Sequence, residues 1–390
     1  MELKSKKVLI GSLVMITVLI AVIFLWLGNN QIIGNKINLP VILGYVDSTQ
    51  NEKKEIPKQL QNPPSIIKAV YVTGWSAGSS KYIKYLNNFF DTTEINAVVI
   101  DIKEGSGFVS YEPNVPKVKE YRTYDNKIKN IDYLIDNLHK KGIYVIGRMV
   151  IFEDDALATA RPDLAVFNRS KTEESGSIVV WDNHGGVSWV DPSSKEVADY
   201  NVAIMKDAWD RGFDEINLDY IRFPTDGDIL NMGFPYWDVK IPRHAVIRGF
   251  FKYLRESLPD VKLSADLFGQ VTTNRNDMGV GQLLEDSFEY FDYVSPMIYP
   301  SHYVDGFLGF DNPAEHPYEV MKNALDATIL RQKAYLENNA KQDENGNDIE
   351  IKMAKVRPWI QDFDLKDDYN EEMIKLEVKA IEDAMGNSYT

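Results

Sequence analysis

The chain has 390 residues, enough for one large domain of about 250 residues with insertions and appendages. Its formal net charge of -15 argues against a nucleic-acid backbone or an anionic lipid surface as the main partner. The absence of cysteine excludes disulfides, thiol catalysis and Cys-ligated zinc, and the five histidines show no metal-binding spacing, so neither a metal nor a cofactor is expected.

Residues 1–7 form a basic flank with Lys4, Lys6 and Lys7, and residues 8–27 carry no charge over a length that spans a bilayer as a helix. The flank predicts a cytoplasmic N-terminus. No A-x-A-like cleavage site follows Trp26-Leu27-Gly28, so the segment reads as an uncleaved, single-pass signal anchor with the rest of the chain outside the cytoplasm. Residues 28–66 are polar and irregular, with Pro40, Pro57, Pro63 and Pro64, and read as a stalk.

Over residues 67–390 apolar strand patterns alternate with helical ones. The first strand is expected over 69–75, and Ser79 or Ser80 caps the helix carrying Ile83, Leu86 and Phe90. The second spans 97–104. A helix follows around 128–141, ended by Gly142, and His139 in its last turn suits a helix terminus better than a ligand role. The third strand, 143–152, is interrupted by Arg148. Residues 154–193 are too long for a plain connection and form a candidate binding loop. A helix from about Ser194 to Arg211 leads to Glu215-Ile-Asn-Leu-Asp-Tyr-Ile-Arg-Phe-Pro224, a buried-strand pattern broken by Asn217, Asp219 and Arg222 and stopped by Pro224. A second long segment, 225–239, precedes a helix over 243–257. Strands at 262–269 and 293–300, a helix around 317–339, a strand at 355–363 and a last helix over 369–385 complete the pattern, although Pro296 is awkward inside the sixth strand. Seven strands alternating with helices predict a parallel α/β barrel with one strand missing.

Four strand patterns end in carboxylates: Asp101, Asp219, Asp266 and Asp362, with Glu104 just beyond the first. Strand ends of such a barrel converge at one mouth, where crowded acids drive one another's pKa values apart. Lys103, Arg148, Arg222 and Arg357 offer balancing charge, and period-two alternation places Asp101 with Lys103, and Asp219 with Asn217. Trp75, Tyr220, Phe268, Tyr299, Tyr303 and Trp359 supply aromatic faces at the same rim, for sugar stacking or for apolar packing of the barrel mouth, and His302 is either a group for a substrate hydroxyl or a structural loop histidine. The competing reading is an ion-pair network that only braces the barrel top.

Asn96-Ala-Val-Val-Ile-Asp-Ile-Lys-Glu104, Phe213-Asp-Glu-Ile-Asn-Leu-Asp-Tyr-Ile-Arg-Phe-Pro224, Ser264-Ala-Asp-Leu-Phe-Gly269, Ser295-Pro-Met-Ile-Tyr-Pro-Ser-His-Tyr303 and Val356-Arg-Pro-Trp-Ile-Gln-Asp-Phe363 together resemble a bacterial, largely uncharacterised family whose glycoside hydrolase activity is inferred from its fold. The resemblance covers about residues 68–385. It implies a (β/α)8 TIM barrel with Asp219 as the leading catalytic carboxylate and Asp266 or Glu104 as its partner. Family members continue after the last helix into a Gly-Trp-x-Leu-Trp-Asn-like eighth strand, from which this chain departs. The expectation is therefore a membrane-anchored, extracytoplasmic glycosidase, lacking that strand, that acts on a cell-surface or environmental polysaccharide through paired carboxylates. Asp101, Lys103, Arg148, Tyr220, Arg222, Tyr299, His302, Trp359 and Asp362 would contact the substrate. A non-catalytic wall-glycan binder on the same barrel is the main alternative. A metal-dependent polysaccharide deacetylase is disfavoured by the lack of a His/Asp ligand motif.

Overall fold

The computed structural model describes residues 59–340 and 351–386. The expected flank and anchor helix at 1–27, and the stalk as far as residue 58, lie outside the described residues. Among the described residues no helix is long and apolar enough to cross a membrane.

Seven strands pair in parallel and in chain order: β1 (Ala69–Val72), β2 (Ala97–Lys103), β3 (Tyr144–Val150), β4 (Glu215–Asp219), β5 (Leu263–Phe268), β6 (Tyr293–Met297) and β7 (Lys355–Val356). Every residue of β2 and β4 is buried, as apolar runs covered on both faces require. The connecting helices begin and end where the sequence provides caps. Ser79 starts α1 (Ser80–Thr92), Asn130 starts α2 (Ile131–Lys140) and Ser194 starts α3 (Lys195–Arg211), each accepting a bond from a first-turn N–H. Gly212, at φ 110°, ends α3 in the left-handed region that glycine tolerates. Next come α4 (Arg243–Ser257), α5 (Pro317–Asn339) and α6 (Glu371–Met385). Pro296 keeps its place in β6, and its carbonyl still accepts from the Trp359 N–H at 3.0 Å.

The sheet curls. Ala97 and Val99 of β2, with Tyr144 and Ile146 of β3, form one inner cluster against which Tyr293 of β6 and Trp359 also pack. Ile67 belongs to this cluster and Leu60 of the expected stalk packs against it. The Leu60 N–H donates to Asp214 Oδ1 at 2.5 Å, and Gln59 Nε2 donates to the Trp209 carbonyl at 2.8 Å. Across the interior Arg357 forms an ion pair with the fully buried Glu215, with Nη1 donating to Oε2 at 3.0 Å. The result is a seven-stranded parallel partial barrel. No eighth strand joins β7 to β1 among the described residues.

Three local departures from the strand patterns bear on the site. A register shift between Asp101 and Lys103 sets Lys103 opposite Met149 rather than opposite an inward residue. Its ammonium is buried outside the barrel interior, 2.7 Å from Asp154 Oδ2 and 2.7 Å from the Val150 carbonyl. Asp101 and Lys103 therefore do not share a face. β7 is only two residues long, so Asp362 lies well past its end and is exposed. The 154–193 insertion folds back on the 225–242 segment. Phe167–Asn168 pairs antiparallel with Met232–Gly233, and the buried Asp191 carboxylate accepts from the Tyr236 and Trp237 N–H groups at 2.7 and 3.0 Å.

Candidate active site

The site is assembled around Arg148, which projects into the barrel from β3. Its Nη1 donates to Asp101 Oδ1 at 2.6 Å, its Nη2 to Asp219 Oδ2 at 2.5 Å, and its Nε lies 4.0 Å from Asp266 Oδ2. Three carboxylates from β2, β4 and β5 thus surround one guanidinium. The Tyr71 hydroxyl of β1 donates to the second oxygen of Asp101. Burial raises the Asp101 pKa, with Arg148 opposing.

Asp266 is the deepest of the three, 1% exposed. Burial pushes its pKa up to about 8, with the Asp219 charge adding and Arg148 opposing. The upward shift favours its protonated form, which relieves the charge crowding beneath Asp219. Its Oδ1 accepts from Asn217 Nδ2 at 2.8 Å and from Trp359 Nε1 at 2.8 Å, while Oδ2 is buried without a hydrogen-bond partner. Asp266 lines neither cavity described below, and Trp359 serves as its hydrogen-bond donor in the interior rather than as a platform at the rim.

Asp219, by contrast, reaches open space. It lines a cleft of about 860 Å³ together with Arg222, Phe268, Tyr299 and His302. Its Oδ1 accepts from the Tyr220 N–H at 2.6 Å. Tyr220 has φ 52°, a left-handed conformation that costs a non-glycine residue on the order of 1–3 kcal/mol and clusters at functional sites. Arg222 is packed among aromatic rings, its guanidinium carbon 4.7 Å from the Phe268 centroid and 4.9 Å from that of Trp189. Burial lowers its pKa, against the pull of neighbouring anions. Burial, then Lys366, also lowers the pKa of His302, which favours the neutral ring.

A second cavity of about 340 Å³ lies on the other side of Tyr220 and shares Arg148 and Tyr220 with the first. Tyr71, Trp75, Asp101, Glu104 and Glu153 line it. Glu104 is held by Lys127, whose Nζ lies 2.7 Å from Oε2 and 5.3 Å from the Trp75 ring centroid. Glu153, absent from the sequence expectation, follows β3 and accepts from Asn183 Nδ2 of the insertion at 3.2 Å. Burial pushes its pKa up to about 7, with Asp226 and Asp219 adding and Arg222 and Arg148 opposing.

Of the expected residues, the structure brings Asp101, Glu104, Arg148, Asp219, Tyr220, Arg222, Tyr299 and His302 to these two cavities, which share Arg148 and Tyr220. Asp266 and Trp359 lie beneath them, and Lys103 and Asp362 line neither. Arg357 is engaged by Glu215 in the interior. Among the described residues, no group of three or more His, Cys, Asp or Glu side chains is placed to hold a metal ion.

The model of a family described as a "putative glycosyl hydrolase domain" matches residues 69–390. No curated protein matches the chain. Among solved structures, the chain is similar to a hypothetical protein from Ruminiclostridium thermocellum, at 37% identity over 50% of this chain and 96% of that one, with a TM-score of 0.45. It is also similar to an α-galactosidase from Thermus thermophilus, at 14% identity over 84% of this chain and 58% of that one, with a TM-score of 0.48. A third similar structure is the glycoside hydrolase domain of PelA from Pseudomonas aeruginosa, at 10% identity over 69% of this chain and 81% of that one, with a TM-score of 0.35.

Proposed function

The chain belongs to the family of that glycosyl hydrolase domain, and from this premise we propose that it hydrolyses glycosidic bonds of a cell-surface or environmental polysaccharide, with Asp219 facing the anomeric carbon. The observation that carries the proposal is the contrast between Asp219 and Asp266. Both sit beside Arg148, but Asp219, though 6% exposed, lines the larger cleft, whereas Asp266 is 1% exposed, lines no cavity and has its pKa raised by burial. Asp219 is aimed by Arg148 on one oxygen and by the Tyr220 N–H on the other. An anion fixed in this way stabilises the positive charge that develops on a sugar ring as its C1–O bond breaks, either as a nucleophile or through space. Tyr299 and Phe268 offer rings to stack against sugars.

The test is release of reducing ends from a panel of bacterial wall and environmental polysaccharides by the full chain, compared with Asp219→Asn. Release by the wild type that is lost in the variant is the expected result. Tight glycan binding without release would instead identify a binding barrel.

The sequence of residues 1–27 supports the further reading that the domain is carried outside the cytoplasm on a single-pass anchor. Protease added to intact, wall-stripped cells is expected to digest it; full protection of the domain overturns the anchor.

A further inference from the structure

We propose that Glu153 donates the proton to the leaving oxygen, with the leaving sugar in the smaller cavity beside Trp75 and the sugar attacked at C1 in the larger cleft. This rests on the glycosidase reading above. The two cavities share Arg148 and Tyr220 in their walls, with Asp219 lining only the larger and Glu153 only the smaller, so a glycosidic bond placed across Tyr220 would have Asp219 on one side and Glu153 on the other. The smaller cavity is furnished for a sugar: Trp75, 66% exposed, lines it together with Thr73 and Tyr71.

Glu153 is also built in. Asn183 fixes Oε2 at 3.2 Å, whereas Oε1 receives no hydrogen bond from the described residues. Gly105 passes beside Oε1, where a Cβ would lie 2.9 Å from that oxygen. The other acids of the cavity are committed elsewhere, Asp101 to Arg148 and Tyr71 and Glu104 to Lys127. The charged groups that bear on Glu153 are Arg148, Asp219, Arg222 and Asp226. Their balance and the burial leave it a proton donor near neutral pH, as a general acid needs.

In the step, the proton passes from Glu153 Oε1 to the glycosidic oxygen. The C1–O bond breaks and its electron pair stays on that oxygen. Asp219 carries the charge left at C1. Water supplies the hydroxyl that ends on C1, and the proton it releases restores Glu153 to its acid form.

The experiment compares wild type, Glu153→Gln and Asp219→Asn on the polysaccharide cleaved in the panel and on 2,4-dinitrophenyl glycosides of its constituent sugars, whose leaving group needs no proton. Glu153→Gln is expected to slow polymer hydrolysis by about 100- to 1,000-fold. It should leave the dinitrophenyl glycosides within about tenfold of wild type and remove the fall in rate above pH 7, with an unchanged melting temperature. Equal losses on both leaving groups, or no loss, overturn the role of Glu153 while the glycosidase reading stands. Wild-type rates in Asp219→Asn overturn the Asp219 reading instead. Wild-type protein inert towards every probe overturns both.

Discussion

Arg148 and the acids around it set the chemistry at the scale of single residues. One guanidinium cannot neutralise three ionised carboxylates, and burial of Asp266 eases this by raising its pKa towards the neutral form. Asp219→Asn keeps the size of the side chain and its bond from the Tyr220 N–H but removes the charge. If Asp219 stabilises the transition state, the loss of about 4 kcal/mol corresponds to roughly a thousandfold slower turnover. If it only braces Arg148, the melting temperature falls while turnover per folded molecule survives. Both quantities, measured on one preparation, separate the two roles. Asp101, Asp219, Asp266 and Arg148 were legible in the sequence because each interrupts an apolar strand, where a charge needs a reason. Glu153 was not. It stands in Phe152-Glu-Asp-Asp155, an acidic run that reads as a solvated loop, and its burial comes from Asn183, Tyr220 and Arg222, which only the folded chain brings near.

At the scale of elements, the last helix is tied to the cleft. Glu377 of α6 is fully buried and accepts from the Gln361 N–H at 3.1 Å, and the Gln361 side chain accepts from the Ser301 N–H, next to His302, at 3.1 Å. Burial pushes the Glu377 pKa up to about 8 from its ordinary 4.5. The folded chain therefore binds a proton over this range that the unfolded chain releases. The resulting stability is fully present below about pH 4.5 and is lost as the pH rises to about 8, by at most ~1.4 kcal/mol per pH unit. Glu377→Gln keeps an acceptor for Gln361 and removes the titration. Its melting temperature is expected to vary less than that of wild type between pH 5 and 8, and to exceed it at pH 8; parallel curves would refute this. Helix positions were well marked in the sequence, since caps and Gly212 act locally. The bulge at Lys103 and the shortness of β7 were not, because the pairing of neighbouring strands determines both.

At the scale of the molecule, seven strands in chain order follow directly from the alternation of patterns, and the parallel partial barrel was legible to that extent. The packing of the segment before it was not. Residues 59–66 look like linker, yet Leu60 packs on the inner cluster. The ion pair across the interior has a consequence for synthesis. Glu215 and Arg357 lie 142 residues apart, so a ribosome adding about 5–20 residues per second makes the acid several seconds before its cation. A barrel that closed in that interval would enclose a carboxylate without its counter-charge, a state disfavoured by several kcal/mol. Chain completion and core closure are thereby coupled. Ribosome-bound chains ending at residue 340 are expected to remain open to protease and to become resistant once Arg357 has emerged. Glu215→Gln should let the shorter chains resist earlier. Equal digestion of the two sequences at every length would show that the pair exerts no such control.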